Sequence, residues 1–382
     1  MQHYLDHHAT TPLAPEVERA MAPLWREGFG NPASVEHGRG LAAADRVDIA
    51  RGQVAQLLGA EAREIVFTSG ATEANNMAVL GAARFRKRHE NRDEVITFAG
   101  EHSCVLGAAR ALQDEGFRVR ECPMTPDGLA DLSALQTALN ERTALVCLML
   151  ANNEVGTLQP MKSITKLAQS FGAWVHSDAA QAVGKVPVDV RALGVDMLSL
   201  SGHKIYGPMG VGALYVRRRP RVRLEPLVHG GGQERGLRAG TLPLPLIVGL
   251  GEALALAGQR MAADADEQVA LREALLTELS QSGLPFVING TMQERLPGNI
   301  SLSFPQLARD RLFAELADAG VAVSSGSACS SHDVAPSHVL TSMGVAPLLA
   351  QQTLRIGFGR GSTMQDVKAL VGALVSGHGK AA

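Results

Sequence analysis

From about residue 60 to residue 216 the chain alternates short apolar runs with segments of helical period, and nothing else in it limits the fold so tightly. The runs are Glu64–Thr68, Glu94–Phe98, Arg118–Glu121, Thr143–Leu150, Ala173–Ser177, Asp196–Leu200 and Gly212–Val216. Several are almost continuously apolar, the pattern of strands buried on both faces. Around them, apolar residues recur at helical spacing: Val47, Ala50, Val54 and Leu57, then Ile164, Leu167, Ala168 and Phe171. Strand–helix alternation predicts an α/β fold with a mostly parallel, seven-stranded sheet.

The stretch from about 245 to 280 has few breakers and predicts one long helix or two. Strand-like Pro285–Asn289 and Asn299–Phe304, helical Asp310–Asp318 and strand-like Val321–Ser324 then predict a smaller α+β unit. The 382 residues are 46% hydrophobic with a net charge of −2. That supplies a sizeable core and gives no electrostatic reason to expect nucleic acid or an anionic membrane as partner. The basic triplet Arg217 to Arg219 reads as a solvated turn. No run of about 18 apolar residues occurs, so no membrane span is expected, and the first residues have no signal-peptide pattern. Four cysteines, Cys104, Cys122, Cys147 and Cys329, show neither CxxC pairing nor zinc spacing. No resident metal is expected, and a reducing cytoplasm is the simplest compartment.

Open parallel sheets bind ligands beyond the carboxyl ends of their strands. Five of the seven runs end there in polar clusters: Ser69 to Asn76, Glu101 to Cys104, Asn152 to Glu154, Asp178 to Gln181, and Ser201 to Lys204. A lysine held where a strand ends suits a Schiff base with an aldehyde cofactor, although a solvated turn lysine fits Lys204 about as well in isolation. Gly70, Ala71 and Thr72 at a helix start suit a phosphate; an ordinary N-cap uses the same residues. Asp178 suits a pyridine nitrogen that must keep its proton. His102 suits stacking on a flat ring or moving protons, and Asn153 and Gln181 offer hydrogen bonds to ring substituents. Caps and turns account for each cluster singly; five on one sheet edge favour a site.

In this order the segments are recognisable. They are Tyr4 to Pro12, Gly30 to Ser34, Phe67 to Asn76, Glu101-His102, Asn152 to Gly156, His176 to Gln181, Ser201 to Pro208, Gly230 to Gly236, Arg238 to Thr241 and Ser324 to Ser330. The chain resembles the group I cysteine desulfurases of the NifS/IscS type, in the class V aminotransferase-like branch of pyridoxal-phosphate enzymes of fold type I. The resemblance implies a large domain over 13–255 and a small domain made of 1–12 with 256–382. Lys204 would carry pyridoxal 5'-phosphate as a Schiff base, His102 would stack on its ring, Asp178 would pair with the ring nitrogen and Gln181 with the ring oxygen. Ala71, Thr72, Ser201 and His203 would hold the phosphate, with Thr241 reaching in from the other subunit of a homodimer. Asn153, Arg355 and Asn31 would bind the carboxylate of L-cysteine; a guanidinium fork matches a carboxylate with two parallel bonds.

Lys204 does not choose among the reactions such a cofactor runs; Cys329 does. It lies in Ser324 to Ser331, small residues without an apolar anchor, which predicts an exposed, mobile loop. By contrast Cys147 lies in an apolar run and reads as packing, while Cys104 beside His102 keeps a redox or catalytic reading open. The resemblance implies that the Cys329 thiolate takes sulfur from L-cysteine as a persulfide, leaving alanine, and passes it to an iron–sulfur scaffold or another acceptor, with transient cluster ligation by Cys329. The expected rivals are a small-substrate aminotransferase, which has no use for Cys329, a catalytically idle sulfur carrier, which has no use for Lys204, and a selenocysteine lyase, which the residues do not separate.

Overall fold

A computed structural model of the chain describes residues 3–325 and 335–379. Cys329 lies outside the described residues. β1 (His3–Tyr4) opens the chain. β2 (Ile65–Thr68), β3 (Glu94–Phe98), β4 (Arg118–Cys122), β5 (Thr143–Cys147), β6 (Trp174–Asp178), β7 (Met197–Ser201) and β8 (Gly212–Val216) form one sheet in the order β2-β8-β7-β6-β5-β3-β4. β8 alone runs antiparallel to its two neighbours; the other pairs are parallel. The seven expected strands are therefore the seven observed, in a mostly parallel α/β sheet. β5 stops at Cys147 rather than Leu150, although Leu148 N and Leu150 N still donate to the carbonyls of His176 and Asp178.

Strands β2, β3, β5, β6, β7 and β8 are buried along most or all of their length, which is why their sequences read as continuous apolar runs. Helices cover both faces. Ala71–Glu90 and Ser103–Asp114 pack on one side with Val66, Ala78, Leu112, Leu145 and Leu214. Gly38–Leu58, Met161–Ser170 and the first part of Leu244–Ser282 pack on the other with Phe67, Val146, Leu198 and Leu200.

The region expected as one helix or two is a single 39-residue helix, Leu244–Ser282. By length and composition alone it suffices to cross a membrane. Its apolar residues Leu244, Ile247, Leu250, Ala253 and Leu254 are instead buried in the core against helices Gly38–Leu58 and Pro15–Met21. Close approach is built in: a Cβ on Gly251 would meet the Ala50 Cα at 2.7 Å.

The later elements are β9 (Val287–Ile288), β10 (Asn299–Ser303), β11 (Val321–Ala322) and β12 (Thr353–Gly357), with helices Arg309–Asp318 and Met364–Gly379. β9, β10 and β12 form an antiparallel sheet, and β1 pairs in parallel with β11. β12 and the last helix have no counterpart among the expected elements. Leu5, near the N-terminus, is buried with Leu275, Leu302, Phe304, Leu354 and Leu370. Its own backbone accepts from Gly357 N at 2.7 Å and donates to Ala322 at 2.8 Å. The first residues are thus part of the C-terminal core, and they lead directly from it to the edge of the large sheet.

Candidate active site

The carboxyl ends of β2, β3, β5, β6 and β7 open on one cavity of about 640 Å³. Its walls include Ala71, Thr72, His102, Asn153, Asp178, Gln181, Ser201, His203, Lys204 and Arg355. Residues named from five strand ends and from β12 therefore converge. Asn31 and Thr241 do not line it; both are exposed, and the Asn31 carboxamide oxygen accepts from Ala33 N at 3.0 Å.

Lys204 closes a single helical turn, Gly202–Lys204, directly after β7. Its Nζ donates to the carbonyls of His8 and Ala9, both at 2.7 Å. The N-terminal segment therefore seats the lysine, an arrangement no local pattern around residue 204 encodes. Next to it, His203 Nδ1 lies 3.1 Å from Thr10 Oγ1. Burial, with the charges of Lys204 and Lys185, pushes His203 down to about 4, so its ring is neutral near pH 7.

Asp178 ends β6. One carboxylate oxygen accepts from Ala180 N at 2.9 Å and the other from Asn75 Nδ2 at 2.6 Å. Asn75 lies in the second turn of the helix Ala71–Glu90 and is fully buried. Its Nδ2 also lies 3.1 Å from Cys104 Sγ. Cys104 in turn stands 3.0 Å from His102 Nδ1, which accepts from Cys104 N at 3.2 Å. With Nδ1 an acceptor, the His102 ring carries its proton on Nε2. His102 is thus both a helix N-cap and a wall of the cavity.

Asn75, His8 and Thr10 had no role assigned from the sequence. For Asn75 a signal existed: four positions after Ala71, it falls on the same helix face. For His8 and Thr10 none did, because their partners lie about 170 to 200 positions away and no spacing rule reaches that far.

Arg355, in the middle of β12, is buried. Its Nη2 donates to Asp6 at 2.9 Å and its Nη1 to the Asn153 carbonyl at 3.3 Å. Asp6 also accepts from Ser324 Oγ at 2.7 Å, and Ser324 and Arg355 exchange backbone bonds. Two buried acids flank this side. Burial pushes Glu101 up to about 8 and Glu154 up to about 7. Glu101 accepts from Met149 N and Glu154 from Ser337 Oγ, each at 2.5 Å.

The residues fit a phosphorylated pyridine aldehyde. The helix Ala71–Glu90 begins without a side-chain cap, so its first N–H groups are left for a ligand. Gly70 takes φ of 152°, and a Cβ on Gly212 would meet the Gly70 Cα at 2.7 Å. The helix start is thereby drawn tightly onto the start of β8, where Gly212 pairs with Ser201 at the end of β7. A carboxylate, an imidazole and a lysine amine border the same cavity.

A family model described as aminotransferase class-V matches residues 3–370. The cysteine desulfurase IscS of Rickettsia bellii (strain OSU 85-389) is 47% identical over 373 residues, 98% of this chain and 90% of the relative. IscS of Rickettsia peacockii (strain Rustic) is 46% identical over the same shares. Among solved structures, a NifS-like protein superposes with a TM-score of 0.91 at 36% identity, covering 98% of this chain and 99% of that one. SspA in complex with cysteine superposes with a TM-score of 0.82 at 37% identity, covering 94% and 99%.

Proposed function

The chain belongs to the aminotransferase class-V family and is a pyridoxal-phosphate-dependent cysteine desulfurase, and on that premise we propose the following division of labour among its residues. The observation that carries it is the single cavity on which Lys204, Asp178, His102 and Arg355 converge.

Bound at Lys204, pyridoxal phosphate supplies an electron sink for the bond-breaking at the substrate's Cα and Cβ. The N–H groups of Ala71 and Thr72, with Ser201 and His203, hold the phosphate. Asp178, kept in place by Asn75 and Ala180, keeps the proton on the ring nitrogen. His102 would cover a ring face, and Gln181 would face the ring oxygen. Arg355 and Asn153 take the carboxylate of L-cysteine; to do so, Arg355 shares its guanidinium between the substrate and Asp6. The Lys204 amine moves the Cα proton.

The Cys329 thiolate attacks the substrate sulfur. An S–S bond forms, the Cβ–S bond breaks with its electron pair left on the carbon side, and protonation there yields alanine. The persulfide on Cys329 then goes to an acceptor, for which an iron–sulfur scaffold protein is the leading candidate; Cys329 would be the residue to touch a nascent cluster.

The working unit is a homodimer. Asn31 and Thr241 are exposed and stand away from their own cavity, and Trp25, Phe29, Val35 and Leu41 expose large apolar surface nearby in sequence. Both observations support a second copy that brings Thr241 to the site. Residues 13–255 form the large domain and 1–12 with 256–382 the small one, a division supported by the place of Leu5 in the C-terminal core. The cytoplasm is the compartment, in line with free thiols at Cys104, Cys122 and Cys147. The test of the reaction is a product assay with L-cysteine: alanine with sulfide or persulfide supports it, and a keto acid overturns it.

A further inference from the structure

Lys185 has no part in the reaction above, yet its half-buried amine bonds to Gln181, a wall of the cavity. The residues after β6 form a short helical turn, in which Ala182 N and Val183 N donate to the Ala179 carbonyl at 3.0 Å, and Lys185 N and Val186 N donate to the Ala182 carbonyl at 3.0 and 3.1 Å. A spacing of four puts Gln181 and Lys185 on one face of that turn. Lys185 Nζ donates to Gln181 Oε1 at 2.8 Å.

In its charged form the Lys185 amine only donates, and the atom then facing it is the amide oxygen. The other end gives the same answer: Gln181 Nε2 donates to the His8 carbonyl at 2.9 Å, and a carbonyl only accepts. His8 Nδ1, 2.9 Å from Oε1, adds a third contact. The His8 carbonyl also accepts from Lys204 Nζ at 2.7 Å. Contacts therefore run from Lys185 through Gln181 and His8 to Lys204. With the amide turned over, Oε1 would face the His8 carbonyl, two acceptors in contact, and the seat of Lys204 would shift.

We infer that Lys185 is a positioning residue that locks the Gln181 amide with Nε2 toward His8, and so fixes both a cavity wall and the carbonyl on which Lys204 rests. Burial, aided by the charges of Lys204 and Arg355, pushes Lys185 down to about 7, consistent with an amine tucked behind the wall. The inference rests on the reading of this cavity as the pyridoxal-phosphate site.

The test is a cycle of Lys185→Met, Gln181→Ala and the double variant, with pyridoxal phosphate titrated into the apoprotein and the pH midpoint of the visible cofactor band read in the holoenzyme. Lys185→Met is expected to weaken cofactor binding roughly tenfold, as for one lost hydrogen bond to a charged group, and to displace the midpoint. In the Gln181→Ala background the same change is expected to add less than about twofold, because residues acting as a unit are not additive. Lys185→Arg, which keeps the donors, is expected to restore binding. Unchanged binding in Lys185→Met, or full multiplication with Gln181→Ala, would overturn the inference, the latter being the mark of a general structural effect. If Lys185→Met does not fold, failure of Lys185→Arg to keep the wild-type midpoint overturns it equally. A wild-type enzyme that bound the cofactor but made a keto acid would instead overturn the reaction and leave this cycle standing.

Discussion

Asn75 donates to Asp178 at 2.6 Å from a helix whose own N-terminus borders the cavity. In the proposed division of labour one helix would then serve both ends of the ligand, its first N–H groups for the phosphate and, a turn later, Asn75 orienting the carboxylate meant for the ring nitrogen. Asn75→Ala leaves Asp178 with one fixed bond. The expected cost is about 1–3 kcal/mol of stability, seen in urea unfolding, together with weaker retention of pyridoxal phosphate on dialysis.

Asp6 and Arg355 form an ion pair at 2.9 Å in which the guanidinium is almost wholly enclosed. Removing one partner of such a pair typically costs about 3–5 kcal/mol, because the other charge is left unpaired. Asp6→Ala is expected to lower the unfolding free energy, read from urea unfolding, by an amount in that range. Arg355→Lys keeps charge but loses the fork; its KM for L-cysteine is expected to rise by about tenfold or more while cofactor absorbance is kept.

Buried groups bracket the pH range of stability. Glu101 and Glu154 are raised to about 8 and about 7, so the folded state holds protons there that the unfolded chain releases near its ordinary carboxylate range. Their contribution is complete below about pH 4.5 and is lost as pH rises toward 8. His7, His176 and His203, each lowered to about 4 by burial, act oppositely: their contribution is complete above about pH 6.5 and is lost as pH falls toward 4. Urea unfolding across pH is expected to show a dome. Glu101→Gln, an uncharged isostere, should flatten its alkaline side.

The sheet was legible because six of its strands are buried along most or all of their length, and burial writes itself into sequence as an apolar run. Its ligand edge was legible because Ser69, His102, Asn153, Asp178 and Lys204 follow those runs directly. β12 escaped because Arg355 interrupts its pattern; that residue is there for Asp6 and Asn153, not for the core, and such local departures gather at functional sites. His8 escaped because its contacts to Lys204 and Gln181 are made by the path of the chain, not by any nearby period; Lys185 stands only four positions after Gln181, but nothing in that short segment marked it as a helical turn. The last helix, Met364–Gly379, buries Val367, Leu370 and Leu374 and had the spacing of an amphipathic helix throughout.

Lys204 fixes the cofactor in this account, and its two carbonyl contacts at 2.7 Å hold it ready. Lys204→Ala is expected to purify folded but without the visible cofactor band and to form no alanine from L-cysteine. Absorbance spectra of the two proteins, prepared alike, check this.

In the proposed reaction sulfur passes through Cys329. Mass analysis of the peptides after one turnover with L-cysteine, run beside an alanine assay, tests it most directly. A gain of one sulfur atom on Cys329, matched by alanine, is expected, and neither product in Cys329→Ala although its cofactor band is intact. Sulfur found on Cys104 instead, or undiminished alanine from Cys329→Ala, would contradict it.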